Sequence, residues 1–201
     1  MTKEKLLRKA HFWARILGVL PGVRAIFLSG SVAQGHAKDT SDIDFFIIAR
    51  DGQIWTARFF VFAVLKIFGQ MRTEKCHAGK ICPNHFITDS HLEIQEKDTY
   101  SADLFSHLIP LYDPYLLNTK FVQENEQWIK EFVGTRHALS LRTVVSKQEQ
   151  PLGNFARTIE NFLRTLQIKK IKSNPDFRLP GAKIVLEDGE LRFHPKPKNR
   201  R

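Results

Sequence analysis

The segment SDIDFFIIA, residues 41–49, sets Asp42 and Asp44 at the mouth of an otherwise apolar run. Short runs rich in Ile and Phe, bounded by polar turn residues, read as strands of a buried sheet. Residues two apart on a strand project from the same face. The spacing therefore predicts Asp42 and Asp44 on one side, with Ile43 and Phe45 on the other. Two neighbouring carboxylates repel and lose hydration unless a cation or hydrogen-bond donors compensate them. A magnesium ion held through carboxylates and substrate phosphates answers both costs. A bare D-x-D also fits a structural role, in which Asp42 caps the Thr40-Ser41-Asp42 loop and Asp44 starts an exposed strand.

Gly30 and Ser31 shift that balance. VRAIFLSG, residues 23–30, is a second short run of strand character, and it ends at this pair. Glycine there lets a phosphate approach the backbone, and the serine hydroxyl and following amides can donate to it. Gly35 adds a second flexible point. Phosphate donors beside metal-binding carboxylates at neighbouring strand ends are what a nucleoside triphosphate requires.

GSVAQG followed by SDIDFFI resembles the signature of the nucleotidyltransferase superfamily that includes DNA polymerase beta. That signature is Gly-Ser or Gly-Gly, a short spacer, then Asp-x-Asp between apolar residues, and the likeness covers residues 25–48. The resemblance implies an α/β (α+β) fold, a small mixed sheet flanked by helices, here with a mostly helical C-terminal half. It implies two divalent cations, Mg2+ in kind, and transfer of a nucleoside monophosphate from a triphosphate such as ATP to a hydroxyl, with release of pyrophosphate. Gly30 and Ser31 would hold the terminal phosphates, and Asp42 and Asp44 would be the catalytic, metal-bridging carboxylates. The acceptor stays open among a small molecule, a protein side chain and a nucleic-acid end.

Catalytic members usually add a third carboxylate from a later strand. In ICPNHFIT, strict alternation puts Cys82, Asn84 and Phe86 on one face and Pro83 and His85 on the other, and none is acidic. Glu93 and Asp89, just beyond, are the acidic candidates, with Asn84 as a neutral substitute ligand. Without a third ligand, the chain reads instead as a degenerate nucleotide- or RNA-binding, or partner-binding, protein. Lys38, Arg50 and Lys80 adjoin the expected pocket in sequence and are phosphate-contact candidates. Cys76, His77, Cys82, His85 and His91 match no usual zinc spacing.

Elsewhere the pattern is helical. Leu6, Leu7, Ala10, Trp13, Leu17 and Leu20 recur at helical spacing before Pro21-Gly22. Residues 54–69 are intensely apolar, but short for a span and interrupted by Arg58 and Lys66, so they read as a core helix without stable membrane insertion. SADLFSHLIPLYDP suggests a helix broken at Pro110, and KFVQENEQWIKEFV a further helix. Phe155, Ile159, Phe162 and Leu166 mark one face of a late helix whose Arg157, Arg164, Lys169, Lys170 and Lys172 read either as a solvated face or as a track along a nucleic-acid backbone. Trp13, Trp55 and Trp128 fall on helical periodicities and read as core. IVLEDGELRF carries a hairpin signal at Asp188-Gly189. The expected division is an α/β core over residues 1–100 and a helical extension with hairpin and basic tail over 101–201.

A formal net charge of +10 suits an anionic partner, nucleotide or nucleic acid. Two cysteines in 201 residues make no disulfide scaffold, which suits a reducing, cytoplasmic setting.

Overall fold

The computed structural model describes residues 2–73, 75–134, 152–174 and 183–194. The basic tail expected at the C-terminus lies almost wholly outside them. Helix α1 (Lys3–Gly18) buries Leu6, Ala10, Trp13 and Leu17, the periodic positions of its sequence. Gly22, with φ +81, then turns the chain into strand β1 (Val23–Ser29). A single turn of helix, α2 (Gly30–Ala33), follows, and β2 (Ile43–Ala49) returns antiparallel to β1. Helix α3 (Ile54–Ile67) crosses over to β3 (Ile81–Thr88), which lies parallel to β2. This is the usual requirement for a parallel neighbour, which no tight turn can supply.

Helix α4 (Thr99–Ser106), strand β4 (Ile109–Tyr112), helices α5 (Leu117–Val133) and α6 (Asn154–Lys172), and strands β5 (Lys183–Leu186) and β6 (Glu190–His194) complete the described chain. The six strands form one mixed sheet in the order β4-β1-β2-β3-β6-β5. Its central strands are covered on both faces, hence their unbroken apolar runs. On one side Ile26, Leu28, Phe45 and Ile47 pack with residues of α1 and α3. On the other, Phe27, Phe46 and Ile48 pack with residues of α4 and α5. All three tryptophans are buried, as expected. Among the described residues no helix is long and apolar enough to cross a membrane.

Three details differ from the periodicity. The segment around Pro110 is an edge strand paired to β1, where the missing proline N–H breaks no interior ladder. A proline within a strand marks an edge or an irregular start; Pro83 sits in an interior strand, beside a register shift, and because β6 pairs β3 only from His85 to Ile87 it falls outside that second ladder. Finally, Phe155, Phe162 and Leu166 are exposed. Helix α6 instead docks through buried Leu163 and Glu160. The Glu160 carboxylate accepts from Trp55 N and Thr56 N, each at 2.8 Å, and from the Thr56 hydroxyl at 2.7 Å. First-turn amides have no partner within their own helix, so a carboxylate from α6 caps α3. Asp188, in the β5–β6 turn, accepts from Trp55 Nε1 and Arg164 Nε and ties the hairpin to the same pair of helices.

Candidate functional site

Strand register assembles the site. The antiparallel ladder sets Ser29 opposite Asp44, and the parallel ladder sets Asp44 opposite Cys82. The end of β1, the start of β2 and the start of β3 therefore meet at one edge of the sheet. Gly30 has φ +67, a conformation that only glycine adopts cheaply, and the Asp44 carboxylate lies directly over it. Asp42 stands one residue before β2 and not within it. Its Oδ2 is 2.9 Å from Arg72 Nε. Ligand atoms of Asp42, Asp44 and Cys82 lie within 4.8 Å of one another, and among the described residues this is the one group with metal-ligand spacing. Asn84 Nδ2 donates to Asp44 Oδ1 at 3.3 Å. The Ser31 hydroxyl donates to Ser41 Oγ at 3.3 Å, and Lys38 N donates to the same oxygen at 2.9 Å. These bonds fold the 38–41 loop against the Gly30-Ser31 turn.

The third position is a thiol, and it is neutral. Burial, then the charge of Asp44, pushes the Cys82 thiol up to about 12. Arg72 Nη1 reaches Cys82 Sγ at 3.6 Å, so one guanidinium touches two of the three candidate donors. Partial burial opposes the charge on Arg72, but its hydrogen bond to Cys82 and the charges of Asp42 and Asp44 outweigh it and hold the guanidinium above its ordinary value.

The β2–β3 ladder slips at Phe45/Phe46, where the partners jump from Pro83 to His85. Asn84 is the extra residue, and strict alternation fails beyond it. His85 turns onto the side of Phe46, with ring centroids 5.1 Å apart, and Phe86 joins the opposite core. His85 is buried, and its Nε2 lies 2.9 Å from Glu190 Oε1. Burial lowers its pKa. A cavity of ≈ 10 Å³ separates Gly30, Asp44, Asn84 and His85.

The two acidic candidates for the third ligand lie elsewhere. Because β2 and β3 are parallel, Asp89 follows the end of β3 that pairs with Ala49, roughly 16 Å along the strands from Asp44. There it faces Arg24 at 3.7 Å and accepts from Asp51 N at 2.8 Å. Glu93, further on, pairs with Lys97 at 2.6 Å. Of the three alternatives only Asn84 reaches the aspartates. Arg50 also lies at the far end, beside an open cleft of ≈ 410 Å³, and Lys80 donates to Gly69 O at 2.6 Å. Arg50 is therefore remote from the aspartates, whereas Lys80 adjoins the mouth of β2, its carbonyl accepting from Ile43 N at 2.8 Å. Arg72 was not legible as a site residue: QMRTEK has no motif, and its approach depends on how β3 returns beside β2.

A model of the nucleotidyltransferase domain matches residues 14–131, more than half of the chain. The chain belongs to this family. The nucleotidyltransferase domain runs from within α1 to within α5, and so contains Gly30, Ser31, Asp42, Asp44, Arg72 and Cys82. Helix α6 and the β5–β6 hairpin lie outside the matched residues, although β6 extends the sheet beside β3. No curated protein matches the chain.

Proposed function

We propose that this nucleotidyltransferase domain transfers a nucleoside monophosphate from a nucleoside triphosphate to a hydroxyl acceptor. The observation that carries the reading is the seating of the Asp44 carboxylate on Gly30, with Asp42 alongside, where the β1 turn can present a phosphate. Asp42 and Asp44 are hard oxygen donors and fit a magnesium ion; the Cys82 thiol does not. Bound there, a divalent cation neutralises charge developing on the phosphates and lowers the pKa of the attacking hydroxyl.

The chain's own part is placement. The Gly30-Ser31 turn binds the terminal phosphates through amides and the Ser31 hydroxyl. The acceptor hydroxyl gives up its proton to solvent, and its oxygen bonds to the α-phosphorus as the bond to the pyrophosphate oxygen breaks. Asp42 and Asp44 hold the charge that keeps these groups aligned. A +10 chain suits both the triphosphate and, among acceptors, a nucleic-acid end. The cysteine content supports a cytoplasmic setting.

One observation favours a second reading, nucleotide binding without turnover. Cys82 stands where a third carboxylate would complete the donor set. Pyrophosphate release from each of the four nucleoside triphosphates, with magnesium and candidate acceptors, separates the two. Turnover that needs the metal supports transfer. Triphosphate binding with no pyrophosphate, even with manganese, supports the binding module.

A further inference from the structure

We infer that Arg72 is a built-in second cation of this site, so that Asp42 and Asp44 take one divalent ion rather than two. The inference rests on the nucleotidyltransferase reading above and refines what its site holds. Its starting point is contact: Arg72 Nε lies 2.9 Å from Asp42 Oδ2, and Nη1 lies 3.6 Å from Cys82 Sγ. A guanidinium thus spans two of the three donors that a pair of metal ions would have to share.

The placement is built into the fold. Arg72 N donates to Ile81 O at 2.9 Å, and Ile81 N donates to Gln70 O at 2.9 Å. Met71 bridges Ile81 in parallel, so the segment carrying Arg72 is stitched along the start of β3. From there the side chain reaches the mouth of β2, and it remains half exposed.

Charge points the same way. Among the described residues in contact there, two carboxylates and one guanidinium leave a single net negative charge, with Asn84 and a thiol beside them. That suits one divalent ion. Before substrate phosphates arrive it does not suit two, whose mutual repulsion needs further anionic ligands. An arginine cannot lose its charge, and its planar fork binds carboxylate and phosphate alike. Because the Asp42–Arg72 pair is partly solvated, its own attraction is modest and a metal ion can compete for Asp42.

Manganese titration of the full chain without nucleotide, followed by electron paramagnetic resonance, tests this. The wild type should bind one ion, and Arg72→Gln should bind it about fivefold more tightly, because a competing cation has gone. Arg72→Lys keeps the charge but loses the fork, and should fall between the two. A second readout uses a non-hydrolysable ATP analogue in EDTA. Arg72→Gln should bind it about tenfold more weakly than the wild type, having lost a charge-assisted phosphate contact. Two manganese ions on the wild type, or unchanged manganese affinity in Arg72→Gln, would overturn the inference. If Asp44→Asn abolishes manganese binding while Arg72→Gln changes nothing, the site reading stands and the role of Arg72 falls. If no variant binds manganese, both fall together.

Discussion

A Cβ atom added at Gly30 would lie 2.2 Å from Oδ2 of Asp44. No carbon approaches a non-bonded oxygen that closely, so a side chain at Gly30 must displace the carboxylate. The φ of +67 adds the left-handed strain that side chains avoid. Gly30→Ala should cost about 2 kcal/mol of stability. It should also weaken manganese and triphosphate binding together, as Asp44 moves. Calorimetric titration of a variant shown to be folded checks this, and unchanged affinity for both ligands would remove Gly30 from the site.

Asp42→Asn and Asp44→Asn should each lower transfer on the order of a hundredfold or more, since each removes charge from the cation site. Stability without metal should stay within about 1 kcal/mol of the wild type. Asp44→Asn relieves carboxylate repulsion, whereas Asp42→Asn gives up a partly solvated pair with Arg72. Thermal melts in EDTA beside activity assays in magnesium resolve the two effects. A large drop in melting temperature would mark either residue as structural.

The Glu160 cap should matter for folding and not for chemistry. Glu160→Ala strands the buried amides of Trp55 and Thr56 and the Thr56 hydroxyl. Urea denaturation should show a loss of about 2–4 kcal/mol. Glu160→Gln keeps one acceptor oxygen and should lose less. A change below about 0.5 kcal/mol in Glu160→Ala would mean that α6 is held by apolar packing alone.

His85 should make stability pH-dependent. In the unfolded chain it takes up a proton near its ordinary 6.5, whereas burial in the folded protein lowers its pKa. Just below 6.5 the unfolded state therefore binds more protons, and the stability present above that pH falls as the pH drops. Urea midpoints measured from pH 7.5 to 5.5 should fall more steeply for the wild type than for His85→Gln. Parallel curves would show that the folded His85 takes up its proton as readily as the unfolded one.

How much of this was legible along the chain depends on the range of the forces involved. Alternation and turn chemistry act within a few residues. They sufficed for the strands around Phe27, Phe46 and Phe86 and for the hairpin at Asp188-Gly189, whereas the meeting of Gly30 with Asp44 was implied by the family resemblance. Local patterning also predicted α6, but not the face it buries. An exposed Phe162 and a capping Glu160 follow from where the first turn of α3 lies, which no property of α6 encodes.

The third position of the site was decided by tertiary structure alone. The parallel course of β3 carries Asp89 and Glu93 to the far end of the sheet and sets Cys82 beside Asp44. A one-residue slip in the same ladder turns His85 toward Phe46 and leaves Asn84 as the bulged residue against Asp44. Arg72 reaches Asp42 only because its segment is stitched to Ile81. Strand direction and register are set by crossover connections and by packing on both faces of the sheet. Residues at the site therefore come from segments far apart in sequence, whose spacing is free to vary without any local trace.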